Sequence, residues 1–378
     1  MISYSELKPR IEKSKEKIKK AFNLFPFENI SDIPIALTTY TYWLDGKEKK
    51  NKPYDYFYDS DVQLKHQIEG FTRHFENLDD DYIPYLMPIM GTCILQSIYG
   101  CEVKRYKNRD LTVTGTCIKD KNDLDNLKIE GNFENYWMTG EILNRIKYFR
   151  NNSDFPVSIT DPQSPLDMLA QMIGHVNFCY FLKDYPQAIK RGLEVLNQTL
   201  IKWIKKQKEF NGEAINECHG ALNGVPPKGI GVWVADDDSI WVNPDFYREM
   251  IVPLHSKLFS TFSAGILHYC GNSSQHIENF RKIDGLRGIC LNSMGDLAMV
   301  RELQEKLGDQ ICIILLDICP IESELDGFLK AIKKKLIPRG LIIQMIIPEA
   351  IGAKNGGYVF THRDPIKTAN KILKTLRS

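Results

Sequence analysis

Ala264-Gly265-Ile266-Leu267-His268-Tyr269-Cys270-Gly271-Asn272 is a short apolar run that ends on a histidine and a cysteine just where glycine lets the backbone turn. It opens the most regular part of the chain. Apolar runs at 265–268, 288–291, 311–316 and 341–346 lack strict alternation, and the helical patterns 274–280, 297–307, 325–336 and a last one from Pro365 separate and follow them. Strands of that kind, each trailed by a helix of ordinary length, belong to a parallel sheet covered on both faces.

Upstream the same alternation continues less cleanly. Strand patterns at 33–37, 82–86, 156–160 and 214–217 are interleaved with helical patterns at 61–78, 136–150, 166–173, 186–209 and 244–262. No glycine fingerprint follows an early strand, which argues against a dinucleotide-binding fold. Seven or eight strand–helix units in one chain predict a closed (β/α)8 TIM-type barrel spanning residues 1–378 as a single domain. An amphipathic helix over 5–25, apolar at Leu7, Ile11, Ile18 and Phe22, makes residues 1–30 an N-terminal helical extension.

Composition bounds the function. The chain has 378 residues, 43% of them hydrophobic, with 49 basic against 48 acidic side chains and a formal charge of +1. That balance supplies no global steering toward nucleic acid or anionic membrane. No apolar run reaches spanning length, and the lysine-rich start lacks the apolar core of a signal peptide. Nine cysteines without a close CxxC pair point to a reducing, cytoplasmic setting and mostly free thiols.

A barrel gathers the C-terminal ends of its strands around one mouth. On this reading that rim carries Glu217 and His219, the acidic run Asp236-Asp237-Asp238, His268 and Cys270, Asn292, Asp317 and Cys319, and His362. In a strand, residues i and i+2 point the same way, so His268 and Cys270 can offer an imidazole and a thiolate to one zinc ion. A catalytic zinc needs about three protein ligands. His362, Cys319 and Glu217 are the candidates for the third, and spacing does not choose among them. Cys290 and Cys312, inside apolar strands, read as core thiols. Zinc on such a set can hold a substrate thiol as thiolate and so activate it as a methyl acceptor. Glu217, Asp236 or Asp237 could then position the acceptor or take its proton. The aromatic stretch with Tyr40, Tyr42 and Trp43 could line an organic-substrate pocket.

Several local patterns, taken in order, resemble the uroporphyrinogen decarboxylase superfamily. They are Asp80-Asp81-Tyr82-Ile83-Pro84 followed by Pro88 and Gly91; the Asp-Pro and Pro-Leu-Asp elements within 158–174; the acidic turn at 236–238 ahead of Asn243-Pro244, Phe246 and Pro253; and the HxCG run ending at Gly271. The resemblance implies a TIM-type barrel. It also implies two chemistries, a metal-independent decarboxylation of porphyrinogens and a zinc-dependent methyl transfer between a corrinoid and a thiol such as coenzyme M. His268 and Cys270 match the methyltransferase pattern of HxC plus a later cysteine, but Thr361-His362-Arg363-Asp364 stands where that cysteine is expected. The decarboxylase reading lacks the basic side chains that a tetrapyrrole with many carboxylates requires. The methyltransferase reading implies zinc as cofactor, a corrinoid carried by a partner protein, Tyr40 and Trp43 against the corrinoid face, and a small thiol as acceptor. A homodimer is an expected assembly, and a non-catalytic corrinoid- or small-molecule-binding barrel is the remaining alternative.

Overall fold

Six buried runs form one parallel sheet: β1 Ile35–Thr38, β2 Val232–Ala235, β3 Gly265–Cys270, β4 Leu286–Asn292, β5 Cys312–Ile318 and β6 Leu341–Ile346. Their spatial order is β1-β6-β5-β4-β3-β2, with every neighbouring pair parallel. The computed structural model describes residues 2–39, 53–106, 110–222, 224–348, 350–352, 358–360, 362 and 364–378.

Two extended segments close the ring between β1 and β2. The Leu86 N–H donates to the Pro156 carbonyl at 2.8 Å and the Ser158 N–H donates to the Leu86 carbonyl at 2.8 Å, while Ala235 exchanges bonds with Pro162 and Ser164 at 2.9 and 2.7 Å. The Asp81 N–H reaches the Ile35 carbonyl at 2.7 Å on the other side. The result is a (β/α)8 barrel with two irregular staves. Pro84, Pro88, Pro156, Pro162 and Pro165 explain the irregularity, because proline has no N–H to give a ladder. The sequence patterns at 82–86 and 156–160 are therefore extended chain with single bridges at Leu86 and Val157.

The sequence reading needs one larger correction. Residues 214–217 form a turn, with the Glu217 N–H on the Ala214 carbonyl at 3.1 Å, and the strand lies later, at β2. The run Val232-Trp233-Val234-Ala235 is buried throughout, as a stave enclosed on both faces must be. Gly231 leads into it because any Cβ there would meet the Ile215 and Phe262 carbonyl oxygens at 2.3 Å.

Helices wrap the ring. Tyr4–Phe22 is capped by Ser3, which forms a reciprocal capping box with Glu6, and buries Leu7, Ile11, Ile18 and Ala21 on one face. Its Ile18 and Phe22 meet Pro34, Ala36, Ile266, Ile314 and Ile342 around a small cavity, so the N-terminal helix stops the floor of the barrel. The longest helix, Pro186–Asn211, starts on proline and ends at Gly212 in the left-handed conformation. Cys101 and Cys117 are disulfide-bonded and clasp the hairpin of Glu102–Lys104 and Thr112–Thr114. The other seven cysteines are free, as the spacing predicts. No helix among the described residues is long and apolar enough to cross a membrane.

Candidate metal centre at the barrel mouth

Strand pairing decides what surrounds His268 and Cys270. β2 and β3 run side by side with Ala235 opposite His268, so two residues further on the register sets Asp237 beside Cys270. The Cys270 N–H donates to Asp237 Oδ1 at 2.7 Å, and Cys270 Sγ lies 3.6 Å from His268 Nε2. Gly271, at φ 87°, then turns the chain away. Between them Tyr269 faces the opposite side, stacked on Phe280 at 5.7 Å.

One ligand atom each from Asp237, His268 and Cys270 lies within 4.8 Å of the others, and among the described residues no further histidine, cysteine, aspartate or glutamate joins the group. A tetrahedral ion bound by a nitrogen at about 2.0 Å and a sulfur at about 2.3 Å holds them roughly 3.5 Å apart. The observed 3.6 Å between Nε2 and Sγ, here a hydrogen-bond contact, is compatible with that edge. The donor set of one imidazole, one thiolate and one carboxylate is also chemically suited to zinc. In the protein alone, burial pushes the His268 imidazole down, which keeps it neutral and able to ligate. Burial, reinforced by Asp237, pushes the Cys270 thiol up to about 12, so the thiolate needs a cation beside it to form at neutral pH.

The other candidates are placed elsewhere. Glu217 is at the floor, ion-paired with Lys228 at 2.8 Å, and with His219 it lines a cavity of about 420 Å³ beside Tyr4 and Lys15 of the N-terminal helix. The misplaced strand accounts for that difference. Cys319 is buried at the mouth with its Sγ turned to the Pro320 carbonyl at 3.6 Å. His362 is buried, its Nδ1 3.4 Å from the Thr368 hydroxyl. Neither joins the group, in which Asp237 stands as the third candidate donor. Tyr40 and Trp43 lie outside the described residues.

Asp236 faces the other way from Asp237. Its Oδ2 accepts the Tyr247 hydroxyl at 2.7 Å and sits 3.1 Å from His255 Nε2, all three side chains being buried. Burial opposes its ionisation, but His255, Ser164 and Tyr247 together bring its pKa below the ordinary carboxylate value. The π turn Tyr247–Ile251, inside the helical run after Pro244, supplies that tyrosine. Asp236 thus anchors the turn while Asp237 faces the metal group.

Two acids that spacing did not single out as site residues complete the mouth. Asp167, buried near the start of helix Pro165–Ile173, accepts the Asp237 N–H at 3.2 Å and the Asp238 N–H at 2.8 Å. Burial, then Asp236 and Asp238, raise its pKa well above normal. Asp161 ends the second irregular stave; burial, then Asp237 and Asp110, push it up to about 7. An acid placed at a stave's carboxyl end was the available sequence signal for Asp161. Asp238 pairs with the half-exposed His175 at 3.1 Å.

Residues 86–314 match the family model for uroporphyrinogen decarboxylase (URO-D). A solved structure, described as a methyltransferase from Methanosarcina mazei, superposes with a TM-score of 0.67 over 97% of this chain and 99% of that one, at 15% sequence identity. At that identity the likeness is one of fold. No curated protein matches the chain.

Proposed function

The chain belongs to the uroporphyrinogen decarboxylase family, and from that premise we propose that it is a metal-dependent methyltransferase, moving a methyl group between a corrinoid and a small thiol. The convergence of Asp237, His268 and Cys270 at the barrel mouth carries the reading. A zinc ion held there would supply Lewis acidity that keeps an acceptor thiol ionised at neutral pH. The chain's own residues would do the rest. His268 and Cys270 present their donor atoms from one strand, and Asp237 reaches in from the next. Asp167 holds the Asp237 backbone so that the carboxylate does not swing out.

The corrinoid would arrive on a partner protein, and the transferred carbon would come from its cobalt–carbon bond. The decarboxylase reading is less well supported. A polycarboxylated tetrapyrrole requires cations in its cleft, and among the described residues the ion partners of Asp236 and Asp238 at the mouth are histidines.

Metal content and activity test the proposal together. Purified protein should hold close to one zinc per chain, and Cys270→Ala should lose it while keeping the wild-type circular dichroism spectrum. The loaded protein should demethylate methylcobalamin in the presence of thiol, and the variant should not. A protein that folds, takes up no zinc and transfers no methyl group overturns the reading.

A further inference from the structure

The mouth is lopsided in charge. Asp161, Asp167, Asp236, Asp237, Asp238 and Asp317 all stand at or just beyond the carboxyl ends of the staves. Among the described residues, no lysine or arginine forms an ion pair with any of the six; their ion partners are His255, at 3.1 Å from Asp236, and His175, at 3.1 Å from Asp238. Most of these acids have internal work. Asp167 takes two backbone N–H groups, and Asp317 takes the Ser293 N–H and hydroxyl, each at 2.6 Å. Asp236 Oδ1 is also buried without a hydrogen-bond partner, but its Oδ2 is held by Tyr247 and His255; Asp161 differs in that its Oδ1 is shut off from solvent and, among the described residues, the carboxylate has no hydrogen-bond or ion partner at all. A buried acceptor without a donor is costly unless a ligand supplies one.

The charges of a loaded site sharpen the point. A dication held by the Asp237 carboxylate and the Cys270 thiolate is neutral, and adding the acceptor as a thiolate leaves the centre negative. A second anionic group on that acceptor would meet the Asp161 carboxylate, which has no ion partner among the described residues. A cationic group would meet a carboxylate that lacks a donor.

We infer that the thiol taken by this site carries an ammonium group a short chain away, and that Asp161 receives it. The inference rests on the metal–thiol reading above and adds the substrate class. It makes Asp161 a specificity-determining residue, one that selects against sulfonate- or carboxylate-bearing thiols.

Cobalt-substituted protein gives a readout independent of turnover, because a thiolate bound to cobalt(II) adds a charge-transfer band in the near ultraviolet. Three thiols with the same two-carbon chain serve as probes: 2-aminoethanethiol, 2-mercaptoethanol and 2-mercaptoethanesulfonate. The ammonium thiol should bind at least about tenfold more tightly than the sulfonate, with the neutral one between, and rising salt should narrow that ratio. Asp161→Asn should shrink the ratio toward unity while cobalt stoichiometry persists, which separates recognition of charge from the thiols' own acidities. Sulfonate binding as tight as ammonium binding, or a ratio untouched in Asp161→Asn, overturns the inference and leaves the metal–thiol reading standing. Failure to take up cobalt, or a spectrum that no thiol perturbs, removes both. Should Asp161→Asn fold poorly, the wild-type series and its salt dependence decide alone.

Discussion

The two ends of this barrel use aspartate in opposite ways. At the floor, Asp80 accepts the Leu37 N–H at 2.8 Å and lies 2.8 Å from His74 and 3.3 Å from Arg10, while Asp81 meets Lys17 at 2.8 Å, Arg377 at 3.4 Å and the Ile35 N–H at 3.0 Å. At the mouth, among the described residues, the Asp237 carboxylate accepts the Cys270 N–H and Asp161 Oδ1 has no hydrogen-bond partner. Floor acids staple the first helix, the first strand and the last helix together. Asp161 and Asp237, unlike Asp236 and Asp238 beside them, have no ion partner among the described residues, which is how a protein keeps a group available for a ligand at some expense of stability. Both clusters read alike in sequence, as runs of consecutive aspartates in a turn.

Four substitutions test that contrast. Asp80→Ala should destabilise the fold most, by about 3–5 kcal/mol in urea unfolding, because it strands a buried histidine and part of an arginine. Although burial works against it, His74 and the Leu37 N–H lower the Asp80 pKa, so its contribution is complete above the unfolded carboxylate value and disappears as pH falls through the lower folded one. Acid should therefore begin to shrink the difference between wild type and Asp80→Ala only below about pH 4, and remove its ionic part once pH has passed the lower folded value. A change under about 1 kcal/mol at pH 7 would mean that the floor acids are not staples.

Cys270→Ala should leave unfolding of the metal-free protein nearly unchanged yet weaken zinc binding more than about a hundredfold, since losses in the outer shell alone can reach that size. Competition with a chromogenic chelator measures it. Asp167→Asn removes a support and no ligand, so the expected loss of zinc affinity is smaller, about tenfold. Equal effects from the two variants would break the division between donor and support.

Asp161→Asn should produce the smallest effect, with the opposite sign. The folded pKa of this carboxyl is raised to about 7, chiefly by burial and then by Asp237 and Asp110. Its ionisation therefore costs stability above pH 7, and that cost falls away as pH drops toward the unfolded value. In metal-free protein the asparagine variant should be more stable than wild type at pH 8, by on the order of 1–2 kcal/mol, with no gain by pH 4. Thermal melts at the two pH values decide the sign.

The regular half of the fold was legible because its strands are continuous buried apolar runs. The expected 341–346 is the observed β6, while 265–268 and 288–291 fall short of β3 and β4, and 311–316 starts just before β5 and stops before its end. The irregular half was less so, because prolines cut two staves to single bridges and a four-residue stave, β2, is too short to show a period. His268 and Cys270 could be read as a pair because their partnership is local, two residues apart on one strand. Asp237 could not be recognised as their third donor, because the relation is a register between strands 33 residues apart. His362 and Cys319 were candidates by residue type, and residue type does not say where a side chain turns.

The clamp on Asp237 bears on how quickly a metal could come and go. Its N–H is held by Asp167, its carboxylate by the Cys270 N–H, and the residue before it is locked by Tyr247 and His255. A loop fastened at three points has little conformational entropy left to lose when an ion arrives. Capture would then resemble a key entering a cut lock, and release would wait on Asp167 or Cys270 letting go. Exchange of bound metal should be slow for that reason.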